Sequence, residues 1–181
     1  MSLARDQILE TTSTLLEKQG CHATGLNEII HESGSPKGSL YYYFPDGKDQ
    51  IVSEAVLQAG QVVSERIRAN LSESGLRAFI LKIAENVEES NFSAGSPLTA
   101  VAMETATTNE RINLACQEAY AMLVTAFQEY FLEHGIEQEQ ASRMATFVTA
   151  TIEGGIILSR TNHSAKALRI VAEQFVNFLD S

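Results

Sequence analysis

Residues 24–48 read TGLNEIIHESGSPKGSLYYYFPDGK. Helix-start and helix-stop chemistry divides this stretch twice. Thr24 is a good N-cap, and Leu26, Ile29, Ile30 and Ser33 follow at helical spacing, which predicts a helix that ends at Gly34. Ser35 caps a second helix with Pro36 at its first position, a favoured start. Pro45-Asp46-Gly47 is a turn signal that stops it. Two short helices across a Gly-Ser turn make a helix-turn-helix.

On a helix turning about 100° per residue, Leu40 and Phe44 fall together, with Pro36 and Tyr43 on their flank. Lys37, Gly38, Tyr41 and Tyr42 take the other side, with Ser39 at its edge. Gly38 costs up to about 1 kcal/mol of helix propensity relative to alanine. What it gives is close backbone approach. Beside it, a lysine and two tyrosine hydroxyls are donors for phosphate, and flat rings suit sugars or thymine methyls. Lys48 adds a further cation at the start of the next helix, and Thr24 a hydroxyl at the start of the supporting one. Periodicity alone also admits a plain amphipathic helix whose tyrosines are half-buried packing.

The segment 20–48, GCHATGLNEIIHESGSPKGSLYYYFPDGK, resembles the DNA-binding signature of the TetR-type transcriptional regulator family. That signature runs Gly, Thr, an apolar pair, a Gly turn, then Ser-Lys-Gly-(Thr/Ser)-Leu-Tyr-Tyr-(His/Tyr)-Phe and a lysine. The Phe-Pro-Asp-Gly-Lys join and Gly95-Ser96-Pro97-Leu98 are similar to the LmrA/YxaF-like subgroup. The resemblance implies phosphate contacts from Thr24, Ser35, Tyr41, Tyr42, Tyr43 and Lys48, and base or close-backbone contacts from Lys37, Gly38 and Ser39. Two positions depart from the family pattern. Pro36 stands where a serine is common, and Gly25 where a second hydroxyl often follows the threonine.

The rest of the chain is also helical in pattern. Helices are expected over about 3–19, 48–72, 76–91, 97–107, 109–134, 138–160 and 164–179, and the pattern gives no convincing strand, so the fold class is all-α. The division expected is a DNA-binding domain over 1–48 and an effector-binding and dimerisation domain over 49–181. With 181 residues, 44% hydrophobic and 20% charged, the chain buries a sizeable core. Net charge is −10, and residues 1–48 carry four basic against six acidic side chains, which counts mildly against nucleic acid. Residues 35–48 are locally positive, Lys37 and Lys48 facing only Asp46. The opening segment has acidic residues throughout and no apolar h-region, and no apolar run reaches about 18 residues, so the expected location is the cytoplasm, without a membrane span.

A helix-turn-helix reads only a few base pairs, so specific binding calls for two copies on a palindromic duplex. The expected dimer surface is the stripe Val148, Ile152, Gly155, Ile156 and Ser159 with Leu168, Val171 and Phe175, where glycines mid-helix allow tight approach. The resemblance implies a four-helix interface there. The same stripes also suit a core within one chain. For a small hydrophobic, flat effector the candidate region is Phe79, Ile83, Phe92, Val101, Met103, Tyr120, Leu123, Phe127, Phe147 and Thr151. The expected mechanism is release of DNA by a population shift. An effector displaces the helix after Pro97 and moves the 48–72 helix, which is joined to the reading helix.

Catalysis is not expected. The four histidines lie in different segments, and there is no Gly-x-Ser-x-Gly elbow, phosphate-binding glycine loop or metal-ligand spacing, so neither cofactor nor metal is called for. Cys21 and Cys116 read as reduced thiols, with a redox role for Cys21 as a minor alternative. The rival to a regulator is a helical protein-interaction adaptor. Only the regulator predicts duplex binding that weakens steeply with salt.

Overall fold

The computed structural model describes residues 3–93 and 95–179. Its elements are α1 (Leu3–Ala23), α2 (Leu26–Ser33), α3 (Lys37–Tyr43), α4 (Lys48–Glu89), α5 (Pro97–Thr105), α6 (Glu110–Glu133), α7 (Gln138–Asn162) and α8 (Lys166–Leu179). The chain is all-α. The backbone leaves helical geometry at Gly75 (φ 75, ψ 171), so the span labelled α4 is two helices that meet at that glycine, as the sequence leads one to expect.

Two compact units are present. The first holds α1 to α3, α4 through Gln61, and Pro97–Tyr120. The second holds Val62–Ser96 and the chain from Ala121 onward. The first unit therefore extends past the expected limit at residue 48. It takes in the start of α4, all of α5 and the start of α6.

In the first unit, α1 packs against α2, α3 and α5. Ile8, Leu16, Ile29, Leu40, Phe44 and Ile51 are fully buried. Each contributes on the order of 1.5–3 kcal/mol relative to an exposed position. Polar ties surround that core. Arg5 pairs with Glu54, and its guanidinium lies 5.6 Å from the Phe44 ring centre. Gln50 donates to Glu54 at 2.9 Å and to the Tyr43 carbonyl at 3.4 Å. The C-terminal end of α3 is thus tied to α4, and through Glu54 to α1.

The turn between α2 and α3 forms because Gly34 adopts φ 61, a left-handed conformation that closes α2 through a hydrogen bond to the His31 carbonyl. In the second unit α7 packs along α8, and Gly155 sits at a close approach between them. A Cβ at Gly155 would lie 2.8 Å from Leu168 Cδ2. Arg169 of α8 makes a two-pronged ion pair with Glu88 at 2.8 and 2.7 Å, and this holds the Glu88 carboxyl below its ordinary range.

Candidate nucleic-acid interface

Helix α3 is two-sided. Leu40 and Phe44 are fully buried beneath it. Above it Tyr42 is 79% exposed and Tyr41 47%, and Lys37 and Gly38 are open to solvent. A Cβ built on Gly38 meets no atom within 4 Å, so its backbone is accessible. The Lys37 ammonium stands 6.0 Å from the Tyr41 ring centre, and the Tyr42 and Tyr43 rings meet edge-on at 5.0 Å. Ser39 and Tyr43 are half-buried at the edges of this face. Pro36 serves as the helix cap, and Lys37 is the first helical residue, one place later than expected.

Three positions carry a different burden from the one expected. Thr24 is fully buried, and its hydroxyl donates to the Gly20 carbonyl at 2.7 Å. Gly25, not Thr24, is the residue at the cap of α2. The Thr24 hydroxyl therefore closes the turn after α1 and is not presented to a phosphate. Ser35 is buried too, and its N–H donates to Ser33 Oγ at 3.3 Å. Lys48 is half-buried and donates to the Cys21 carbonyl at 2.7 Å, with two further N–H groups on the same ammonium.

Charge around the face is arranged by distant residues. Asp46, the acid nearest the end of α3, is paired with Arg111 of α6 at 2.9 Å. Asp49 accepts from Asn109 Nδ2 at 2.8 Å, while Asn109 Oδ1 accepts the Ile112 N–H at 3.1 Å at the start of α6. Arg111 offsets the Asp46 carboxylate close to the C-terminal end of α3. Neither Arg111 nor Asn109 was singled out from sequence. Asn109 carries a legible signal, a cap-type residue one place before a helix.

The expected dimer residues lie inside their own chain. Val148, Ile152, Gly155, Ile156, Ser159, Leu168 and Phe175 are buried, and Val171 is half-buried. Along this stripe α7 and α8 cover each other within the chain. The outward stripe of α7 is a neighbouring one: Phe147 at 56% exposure, Leu158 at 53% and Ile157 at 47%, with Gly154 between them and Ile170 exposed on α8. A Cβ on Gly154 meets nothing within 4 Å.

The effector candidates divide between the units. In the second, Phe79 and Phe127 meet edge-on at 6.0 Å and are buried with Leu123, while Ile83 and Thr151 are half-buried. Phe92 stacks edge-on against His163 at 5.5 Å. Phe147 points outward against Phe175, and so does not line its own chain's interior. In the first unit Val101 is fully buried, and the Tyr120 hydroxyl lies 3.4 Å from that of Thr99. Met103, at 80% exposure, faces solvent and lines no interior. Gln58, which the sequence reading passed over, has a buried Oε1 with no hydrogen-bond partner among the described residues.

Among the described residues no helix is long and apolar enough to cross a membrane. Residues 8–55 match the model of the tetR family of bacterial regulatory proteins, and residues 72–174 that of the LmrA/YxaF-like transcriptional regulator C-terminal domain. The HTH-type transcriptional regulator YxaF of Bacillus subtilis is 38% identical over 176 residues, covering 94% of this chain and 92% of that protein. The HTH-type transcriptional regulator LmrA of the same organism is 36% identical over 171 residues, covering 91% and 90%. The crystal structure of regulatory protein TetR from Rhodobacter sphaeroides superposes with a TM-score of 0.83 at 17% identity, covering 96% of this chain and 97% of that one. With its helix-turn-helix head and its matched C-terminal half, this chain belongs to the TetR family of DNA-binding transcriptional regulators, in the LmrA/YxaF-like group.

Proposed function

We propose that this regulator is a repressor that binds a palindromic operator as a homodimer in the cytoplasm and is released by a small hydrophobic, aromatic-type effector. The observation that supports operator reading is the two-sidedness of α3. Buried Leu40 and Phe44 fix its back, and Lys37, Gly38 and Tyr42 stand open on its front. Seven residues of helix reach only a few base pairs, so two heads spaced by about 34 Å read successive major grooves. Lys37 and Gly38 approach base edges, Ser39 contributes from the edge, and Tyr41, Tyr42, Tyr43 and Lys48 serve phosphates. The outward α7 stripe of Phe147, Gly154 and Leu158 joins the two copies.

The effector reading rests on an apolar helical interior that holds a few polar atoms. In the first unit these are the Thr99 and Tyr120 hydroxyls and the unpartnered Gln58 Oε1. Release is a population shift, for which a difference in effector affinity of about 1–3 kcal/mol between two states is typical.

In vitro selection of duplexes bound by the purified chain tests operator binding, with a Lys37→Ala/Tyr42→Ala variant as control. The expected result is a two-fold symmetric site that the variant binds at least tenfold more weakly. Recovery of no common site, or equal enrichment by the variant, overturns the reading.

A further inference from the structure

We propose that Glu104 is the latch through which α5 and the DNA-binding head are coupled; this rests on the ligand-released repressor reading above. Helix α1 does not run straight to its end. At Gly20 the backbone turns to φ 78, ψ −179, and the helix resumes for Cys21 to Ala23. Such a break leaves the N–H groups after it without partners in α1. Glu104 supplies one from outside. Its Oε2 accepts the His22 backbone N–H at 2.7 Å and lies 3.1 Å from His22 Nδ1.

The fit is tight. A Cβ on Gly20 would stand 2.2 Å from Glu104 Oε1. Glycine here provides both the positive φ and the notch that admits the carboxylate. Glu104 is the one charged residue in α5, whose sequence is PLTAVAMET. A lone acid in an apolar helix, placed against a backbone N–H, marks a specific contact in place of a solvated face.

The segment it holds is a junction. The Gly20 carbonyl takes the Thr24 hydroxyl at 2.7 Å, and the Cys21 carbonyl takes Lys48 Nζ at 2.7 Å. Lys48 starts the helix that follows α3. Five residues before Glu104 on the same helix, about 7.5 Å along its axis, Thr99 meets Tyr120. A shift of α5 at the Thr99 end therefore pulls on the junction that seats both α2 and the start of α4. Glu104 acts on DNA only through this backbone, as a positioning residue.

Reciprocity gives the test without knowledge of the effector. If α5 biases operator binding, operator binding biases α5. Hydrogen exchange of the α5 amides is measured with and without the selected duplex, for the full chain. In the wild type, bound duplex is expected to slow or speed α5 exchange by about fivefold or more. Glu104→Met fills the notch without accepting a hydrogen bond, and should abolish that response while duplex affinity changes by less. Glu104→Gln keeps an oxygen for the His22 N–H and should restore the response, a rescue that a merely space-filling role would not show. A wild-type response that persists in Glu104→Met, or no response in the wild type, overturns the latch alone. Failure to select any duplex overturns operator reading, and the latch with it.

Discussion

The Thr24 hydroxyl donates to Gly20, and the Cys21 thiol beside it is buried, so this corner of the head is stabilised by internal bonds. Both thiols are shielded. Burial raises the Cys21 thiol above its ordinary value, with Lys48 pulling the other way. Burial pushes Cys116 up to about 11, against an opposing side-chain hydrogen bond with Thr105. Below its ordinary value of 9.0 the Cys116 thiol is protonated folded or unfolded, so its contribution to stability is then intact. Between pH 9 and about 11 the unfolded chain gives up this proton and the folded chain keeps it. Stability therefore falls through that window, by roughly 2–3 kcal/mol from this group. Lysines and tyrosines titrate there as well, so the quantity to measure is a difference. Urea unfolding of the wild type should lose more stability from pH 8.5 to 10.5 than unfolding of Cys116→Ala. Parallel pH curves would show that the thiol is in contact with water.

At the scale of the element, the two adjacent glycines of α7 separate two kinds of packing. Gly155 faces Leu168 at a distance that excludes a methyl group, whereas Gly154 faces open space. Gly155→Ala should destabilise the chain by about 1–3 kcal/mol through overpacking. Gly154→Ala should leave helical content unchanged, since its space is open within its own chain, and any loss in thermal midpoint should depend on protein concentration, as a stripe that joins two copies requires. On the same outward stripe, Leu158→Lys should leave helical content intact and yield single subunits by sedimentation. A Leu158→Lys variant that still sediments as a dimer would put the interface elsewhere. The number and span of the helices were legible because cap chemistry and 3.6-residue periodicity are local. Which stripe of α7 turns inward was not, since Val148, Ile152 and Ile156 and the adjacent Phe147, Ile157 and Leu158 are equally apolar. The open face of α3 was readable because Leu40 and Phe44 fix its rotation. The roles of Thr24 and Ser35 were not, because a short hydroxyl takes whichever acceptor the tertiary turn brings near. Arg111 and Glu104 lie 65 and 82 residues from their partners, beyond the reach of any local pattern.

For the whole molecule the question is how a chain of net charge −10 holds a polyanion. A dimer carries twice that charge, so long-range attraction is weak and affinity must come from cations set directly on the duplex. Few are available beside α3. Among the described residues no hydrogen bond holds Lys37, whose ammonium stands over the Tyr41 ring, whereas Lys48 is committed to the Cys21 carbonyl through one of its three N–H groups. Arg111 is spent on Asp46. The dependence of binding on salt should therefore be shallow for a regulator of this size, as few phosphates are neutralised. Each lysine removed from a phosphate lowers the slope of log K against log salt by about 1, hence by about 2 in a dimer. Lys37→Ala should remove little of that slope if the ammonium reads a base edge, and should instead relax sequence preference at one position of each half-site. Lys48→Ala should lower the slope by about 2 and also loosen the α1–α4 junction, which a drop in melting temperature would register. Fluorescence anisotropy across 50–300 mM salt with the selected duplex measures both. A Lys48→Ala slope equal to that of the wild type would mean the ammonium serves only the Cys21 carbonyl, leaving the tyrosine hydroxyls and backbone N–H groups of α3 as the anchors on phosphate.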